Sequence, residues 1–207
     1  MNPRLLIALF LTSVFALGAV VLAARGGSDE PALESAGETG PLATRFEGAV
    51  LPRGVRAPDF SLRNQDGEPI RMRDLRGRPA IVTFLYTTCD ETCPAQAQQV
   101  KGALDELGHD VPAIAIAVDP PRDTPERARA FLAKQRMTGR MDFVLGSPED
   151  LRPVWRGFAI QPQLEDAEHQ ARFTLVDERG FQRIGFPLGQ ATPERLAHDV
   201  RALEREG

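Results

Sequence analysis

Cysteine is nearly absent from this 207-residue chain, which holds two, Cys89 and Cys93, four positions apart. With no second pair there is no Cys-x-x-Cys zinc spacing, and no glycine pattern suited to cradling phosphates occurs. Lysine is as scarce, at Lys101 and Lys134, so nearly all positive charge is arginine. That reads as a compositional bias and not as a phosphate-binding device. Acidic residues outnumber basic ones, 29 against 25, for a net charge of −4. Such a balance leaves no electrostatic footprint for nucleic acid. What is plentiful is apolar residue, 42% of the chain, enough to bury one good-sized core.

One apolar stretch stands apart. Leu5 to Ala24, LLIALFLTSVFALGAVVLAA, runs uncharged for twenty residues, and a helix needs ~20 to cross ~30 Å of hydrocarbon. Arg4 and the terminal amine precede it, so the positive-inside bias keeps the N-terminus cytoplasmic and sends the rest outward. The small residues of VLAA also suit a cleavable signal peptide, but the run exceeds a ~7–15-residue signal core, which favours an uncleaved anchor. Either reading exports the domain. The expected location is the inner membrane, crossed once, with the soluble domain in the periplasm. Residues 25–45, RGGSDEPALESAGETGPLATR, lack apolar periodicity and read as a flexible tether. The expected organisation is an anchor over 1–24, a tether over 25–45 and one domain over 46–207.

From Phe46 onward strands and helices alternate. APDFSL and EPIRM, separated by RNQDG, predict a hairpin with a glycine-containing turn. PAIVTFLY (79–86) and VPAIAIAVD (111–119) are continuous apolar runs, as expected of strands buried on both faces. Between them a helix is predicted to open with Pro94 and continue through AQAQQVKGALDEL, since proline is tolerated in a first turn. Further helices are predicted in DTPERARAFLAKQR, capped by Asp123 or Thr124, in SPEDLRPVWRGF, capped by Ser147, and in TPERLAHDVRALERE. The repeated TPER at 124–127 and 192–195 reads as two similarly capped helix starts. DFVLG is a short strand, and ARFTLVDERGFQRIGFP predicts two strands joined by a turn at Arg179-Gly180. This order implies an α/β, thioredoxin-like central sheet flanked by helices, with an N-terminal hairpin extension and an N-terminal transmembrane helix.

In that layout Cys89 lies just past the end of a central strand and Cys93 at the start of the next helix. Chemistry in open α/β sheets gathers at this edge. A helix N-terminus favours thiolate, so both sulfurs are expected to be acidic, exposed and close together. Three readings stay open: a structural disulfide, a thiol–disulfide or peroxide catalyst using Cys89 and Cys93, and part of a soft-metal site. A disulfide closing so short a loop removes little chain entropy. Thiolates joined by one imidazole suit copper. Of the three histidines, His109 follows the cysteine helix at the wrong end of the sheet and His198 lies midway along the last helix. His169 precedes the late strand and is the one placed to face the cysteines. Asp119 and Asp123 fall at the same edge, Asp123 as a helix cap and Asp119 as a strand end or an orienting group.

APDFSLRNQDG, FLYTTCDETCP with three residues between the cysteines, VDPPRDTPERARAFL, and His169 ahead of FTLVDERG together resemble the Sco/SenC family. These are thioredoxin-like copper-binding proteins of cytochrome c oxidase assembly. The likeness spans roughly residues 55–190. It implies copper, as Cu(I) or Cu(II), held by Cys89, Cys93 and His169 and delivered to the binuclear centre of oxidase subunit II or another copper acceptor. It also implies a role in reducing that subunit's cysteines, served by a thiol reductant partner. Asp90 stands where the family commonly has proline, and with Glu91 it is expected to raise the thiol pKa values.

Overall fold

The structure, a computed structural model, describes residues 45–163 and 171–207. The anchor over 1–24, all but the last residue of the tether, and His169 lie outside the described residues. Among the described residues no helix is long and apolar enough to cross a membrane.

The strands are β1 (Ala49–Val50), β2 (Ser61–Arg63), β3 (Pro69–Arg71), β4 (Ala80–Leu85), β5 (Ala113–Ala117), β6 (Asp142–Val144), β7 (Arg172–Val176) and β8 (Gln182–Pro187). The helices are α1 (Thr92–Leu107), α2 (Pro125–Lys134), α3 (Pro148–Gly157) and α4 (Pro193–Glu204). Six strands form one sheet in the order β1-β8-β7-β4-β5-β6. The β4, β5 and β6 strands run parallel, while β7 pairs antiparallel with both β4 and β8.

The apolar run of β4 is buried throughout because both of its faces are covered. Alternation along the strand shows how. Thr83 turns towards α1 and accepts a hydrogen bond from Gln96 Nε2 at 2.7 Å. Its neighbour Phe84 turns the other way and meets Phe158, just past α3, edge to face at 5.4 Å. Completely burying a ring such as Phe84 contributes about 1.5–3 kcal/mol. α1 and α4 pack together where Gly102 admits Pro193: a Cβ built on Gly102 would lie 2.6 Å from the proline ring.

The predicted hairpin is present as β2 and β3, with Gly67 at φ +80° in its turn. It is fastened to β6, since Leu145 N–H donates to Arg63 C=O at 2.8 Å and Phe143 N–H to Gln65 Oε1 at 2.7 Å. The TPER repeat is the expected pair of helix starts: Thr124 accepts from Arg127 N–H and Thr192 from Arg195 N–H, each at 3.3 Å. Ser147 forms a full capping box with Asp150. β1 was not anticipated. It is two residues long and owes its existence to pairing with β8. The chain leading into it is held by the completely buried Asp199 of α4, whose carboxylate accepts from Glu47 N–H at 2.8 Å and Gly48 N–H at 2.9 Å.

Candidate functional site

Beyond Leu85 the chain leaves β4 through a tight turn in which Cys89 N–H donates to Tyr86 C=O at 3.3 Å. α1 then begins at Thr92, so Cys93 occupies its first turn. Glu91, at the capping position, contributes no side-chain bond, and Pro94 has no N–H to offer. The Cys93 N–H is one of the first-turn donors left to satisfy, and the Cys89 sulfur accepts it at 3.2 Å. Thr92 Oγ1 lies 3.2 Å from the same sulfur. The two cysteines are unbridged.

Their thiols are not alike. Burial opposes charge on Cys89, but hydrogen bonds from the Thr92 hydroxyl, the Cys93 N–H, the Cys93 thiol and the Glu91 N–H bring its pKa down to about 7. Burial pushes the Cys93 thiol far up, beyond what a hydrogen bond with the Tyr86 backbone restores. Cys89 is 9% exposed and Cys93 fully enclosed. The expectation of two acidic, exposed sulfurs is thus corrected: one is acidic, and both are buried. Cys93 heads the buried stripe of α1, and desolvation there outweighs the helix terminus. Asp90 and Glu91 are exposed. Glu91 acts on Cys89 through its backbone, which lowers the pKa and does not raise it. The Tyr86 phenol, pushed up first by burial, is also hydrogen-bonded to Cys89. A cavity of about 260 Å³ opens beside Cys89, lined by Thr87, Thr88, Asp90, Pro94, Phe131 and Lys134.

Asp123 is the residue that the sequence reading misplaced. Thr124 caps α2, and the Asp123 carboxylate turns back instead to the cysteine turn. Its Oδ1 accepts from Thr87 N–H at 2.7 Å and from Thr87 Oγ1 at 2.8 Å. Its Oδ2 accepts from Asp119 N–H at 3.0 Å. Burial raises Asp123 to about 6. Asp119 forms an ion pair with Arg122. The signal that could have assigned the cap was Pro125: proline favours the first helical position, which puts the cap on the residue before it.

A SCO1/SenC family model matches residues 52–205. The chain belongs to that family. It is similar to the Protein SenC of Rhodobacter capsulatus, 29% identical over 152 residues that cover 68% of this chain and 67% of that protein. It is also similar to the Bradyrhizobium japonicum ScoI structure with copper bound, 28% identical with TM-score 0.62, covering 72% of this chain and 99% of that one. Peroxiredoxin Bcp of Escherichia coli is 31% identical over 138 residues, 63% of this chain and 81% of that protein. The α/β fold is thioredoxin-like, as the element order implied, and matches the Sco structures.

For a SCO1/SenC chain the donor chemistry at this edge fits a soft metal: two neighbouring sulfurs, one of them acidic. No group of three His, Cys, Asp or Glu side chains suited to a metal exists among the described residues. The third predicted ligand, His169, lies outside them. The described chain resumes at Ala171 and enters β7 next to α1, where the Arg172 C=O accepts from Gln96 Nε2 at 3.3 Å. Gln96 is one turn beyond Cys93. His109 and His198 are engaged elsewhere, with Glu204 at 2.7 Å and Asp199 at 2.9 Å.

Proposed function

We propose that this protein is a membrane-tethered copper chaperone, its soluble domain in the periplasm, that holds one copper ion through Cys89, Cys93 and His169. The acceptor is the binuclear copper centre of cytochrome c oxidase subunit II. The observation that carries the reading is the unbridged pair of unequal sulfurs at the start of α1, in a SCO1/SenC chain similar to a copper-bound ScoI. Three donors leave one side of the ion open to an acceptor's own ligands. The tether and the N-terminal helix rest on the apolar run Leu5–Ala24.

Copper titration of the full-length reduced protein tests this. The parent binds one equivalent, and Cys89→Ala, Cys93→Ala and His169→Ala each weaken binding strongly. Tight binding by the His169→Ala variant removes that residue from the site. Because burial keeps Cys93 protonated near pH 7, holding copper requires that proton to leave. Apparent affinity therefore rises with pH, and uptake in weak buffer acidifies the solution.

A second reading is favoured by the inequality of the thiols and the likeness to peroxiredoxin Bcp. The Cys89 thiolate attacks a disulfide or peroxide, and Cys93 resolves the product by forming the Cys89–Cys93 disulfide. A thiol reductant then restores the pair. Turnover without copper, unchanged in His169→Ala, supports that reading against the first.

A further inference from the structure

We propose that Asp123 is a positioning residue for the sulfur pair, acting by clamping the turn that presents Cys89. The inference builds on the copper reading, but it concerns the geometry of the thiols and is testable without metal.

The turn Tyr86–Cys89 is closed by one hydrogen bond of its own, from Cys89 N–H to Tyr86 C=O at 3.3 Å. Its corner residue Thr87 is gripped from outside by both its N–H and its hydroxyl, at 2.7 and 2.8 Å from Asp123 Oδ1. The other carboxylate oxygen is tied to the Asp119 N–H at 3.0 Å. Asp119 C=O in turn accepts from the N–H groups of Arg122 and Asp123, each at 2.9 Å. One carboxylate thus joins the connection after β4 to the connection after β5, the two loops that leave neighbouring parallel strands at this edge.

The alternative roles for this side chain are filled by others. Thr124 caps α2. Arg122 has an ion-pair partner in Asp119. Asp123 is 6% exposed, and a carboxylate so enclosed is costly to bury unless its hydrogen bonds are satisfied. Here three donors from two loops converge on it. Asparagine has the same shape but cannot replace it: with its carbonyl kept towards Thr87, its amide N–H₂ would face the Asp119 N–H, donor against donor.

The test compares Asp123→Asn, Thr87→Val and Thr124→Ala in the full-length protein. Three quantities are measured: the pH profile of Cys89 alkylation, copper affinity by competition with a chelator, and the melting temperature. Asp123→Asn is expected to displace the alkylation midpoint and to weaken copper about tenfold, the usual scale for groups that orient a metal ligand. Thr87→Val, which deletes the hydroxyl donor alone, moves both in the same direction by less. Thr124→Ala lowers the melting temperature but leaves midpoint and affinity where they were. The proposal is overturned if Asp123→Asn keeps both values within twofold of the parent, or if Thr124→Ala shifts them equally, because the effect is then general loosening. If Asp123→Asn does not fold, Thr87→Val decides by the same criteria. A parent that binds no copper ends the chaperone reading, whereas the alkylation profile still judges Asp123.

Discussion

The starts of α1 and α2 solve the same problem with different atoms. At α2 a threonine oxygen accepts the orphan N–H of Arg127 behind a first-turn proline, and α4 repeats the device with Thr192 and Arg195. At α1 the capping position is silent, and the acceptor is a sulfur two residues further back. An oxygen cap is spent on holding the helix. A thiolate in that place receives the same partial positive charge from the helix end, yet it remains a nucleophile and a metal ligand. The reactive end of the domain is thus an ordinary helix start in which the cap has been made chemically useful.

The most severe way to break this contrast is to turn the sulfur into an oxygen. Cys89→Ser should keep α1 within about 1 kcal/mol of its parent stability, while alkylation at pH 7 falls by on the order of a hundredfold. The remaining thiol, Cys93, is enclosed and held protonated. Parent-like alkylation of Cys89→Ser, located at Cys93 by mass spectrometry, would reverse the assignment of the two thiols.

Next comes the pH profile. Alkylation of the parent should climb between pH 6 and 8 around a midpoint near 7, since donors to the sulfur favour the charged form. Thr92→Val removes the largest of those donors, so the midpoint moves up by about one unit. A profile that does not move denies the hydroxyl its role. Stability is the third measure: Thr124→Ala and Thr192→Ala should each cost about 1 kcal/mol in chemical denaturation and leave the thiol profile untouched. The smallest effect sharpens the contrast from the other side. Glu91→Asn supplies the missing oxygen at the capping position of α1, where it competes with Cys89 for the Cys93 N–H. The helix should gain roughly 0.5 kcal/mol, and the Cys89 midpoint should drift upward by a few tenths. A downward drift contradicts the shared-donor account.

Much of the frame was legible because each piece carried a local signal. The apolar runs at 79–86 and 111–119 became β4 and β5, and Ser147 and Thr192 cap the helices they precede. The place of Cys89 beyond β4 followed from strand order alone. The inequality of the thiols did not, because helix-end electrostatics act on both sulfurs while desolvation depends on which face of α1 each one joins. A hint was present in Cys93, Ala97, Val100, Leu104 and Leu107, which follow helical spacing and are all buried. β1 had no signal of its own, being two residues whose pairing is decided by β8. Asp123 escaped because its partner Thr87 is remote in sequence, and no local pattern announces a carboxylate that serves another loop.

The Asp199 clamp has a mechanical consequence. The first described residues are secured to the last helix, through Asp199 to Glu47 and Gly48 and through the Arg45 guanidinium to the Ala202 C=O at 3.1 Å. A force applied at Arg45 is therefore taken up by α4 and by the β1–β8 pairing. From there it passes on to the strand and helix that carry the sulfurs, since β8 pairs with β7, β7 with β4, and α4 packs on α1.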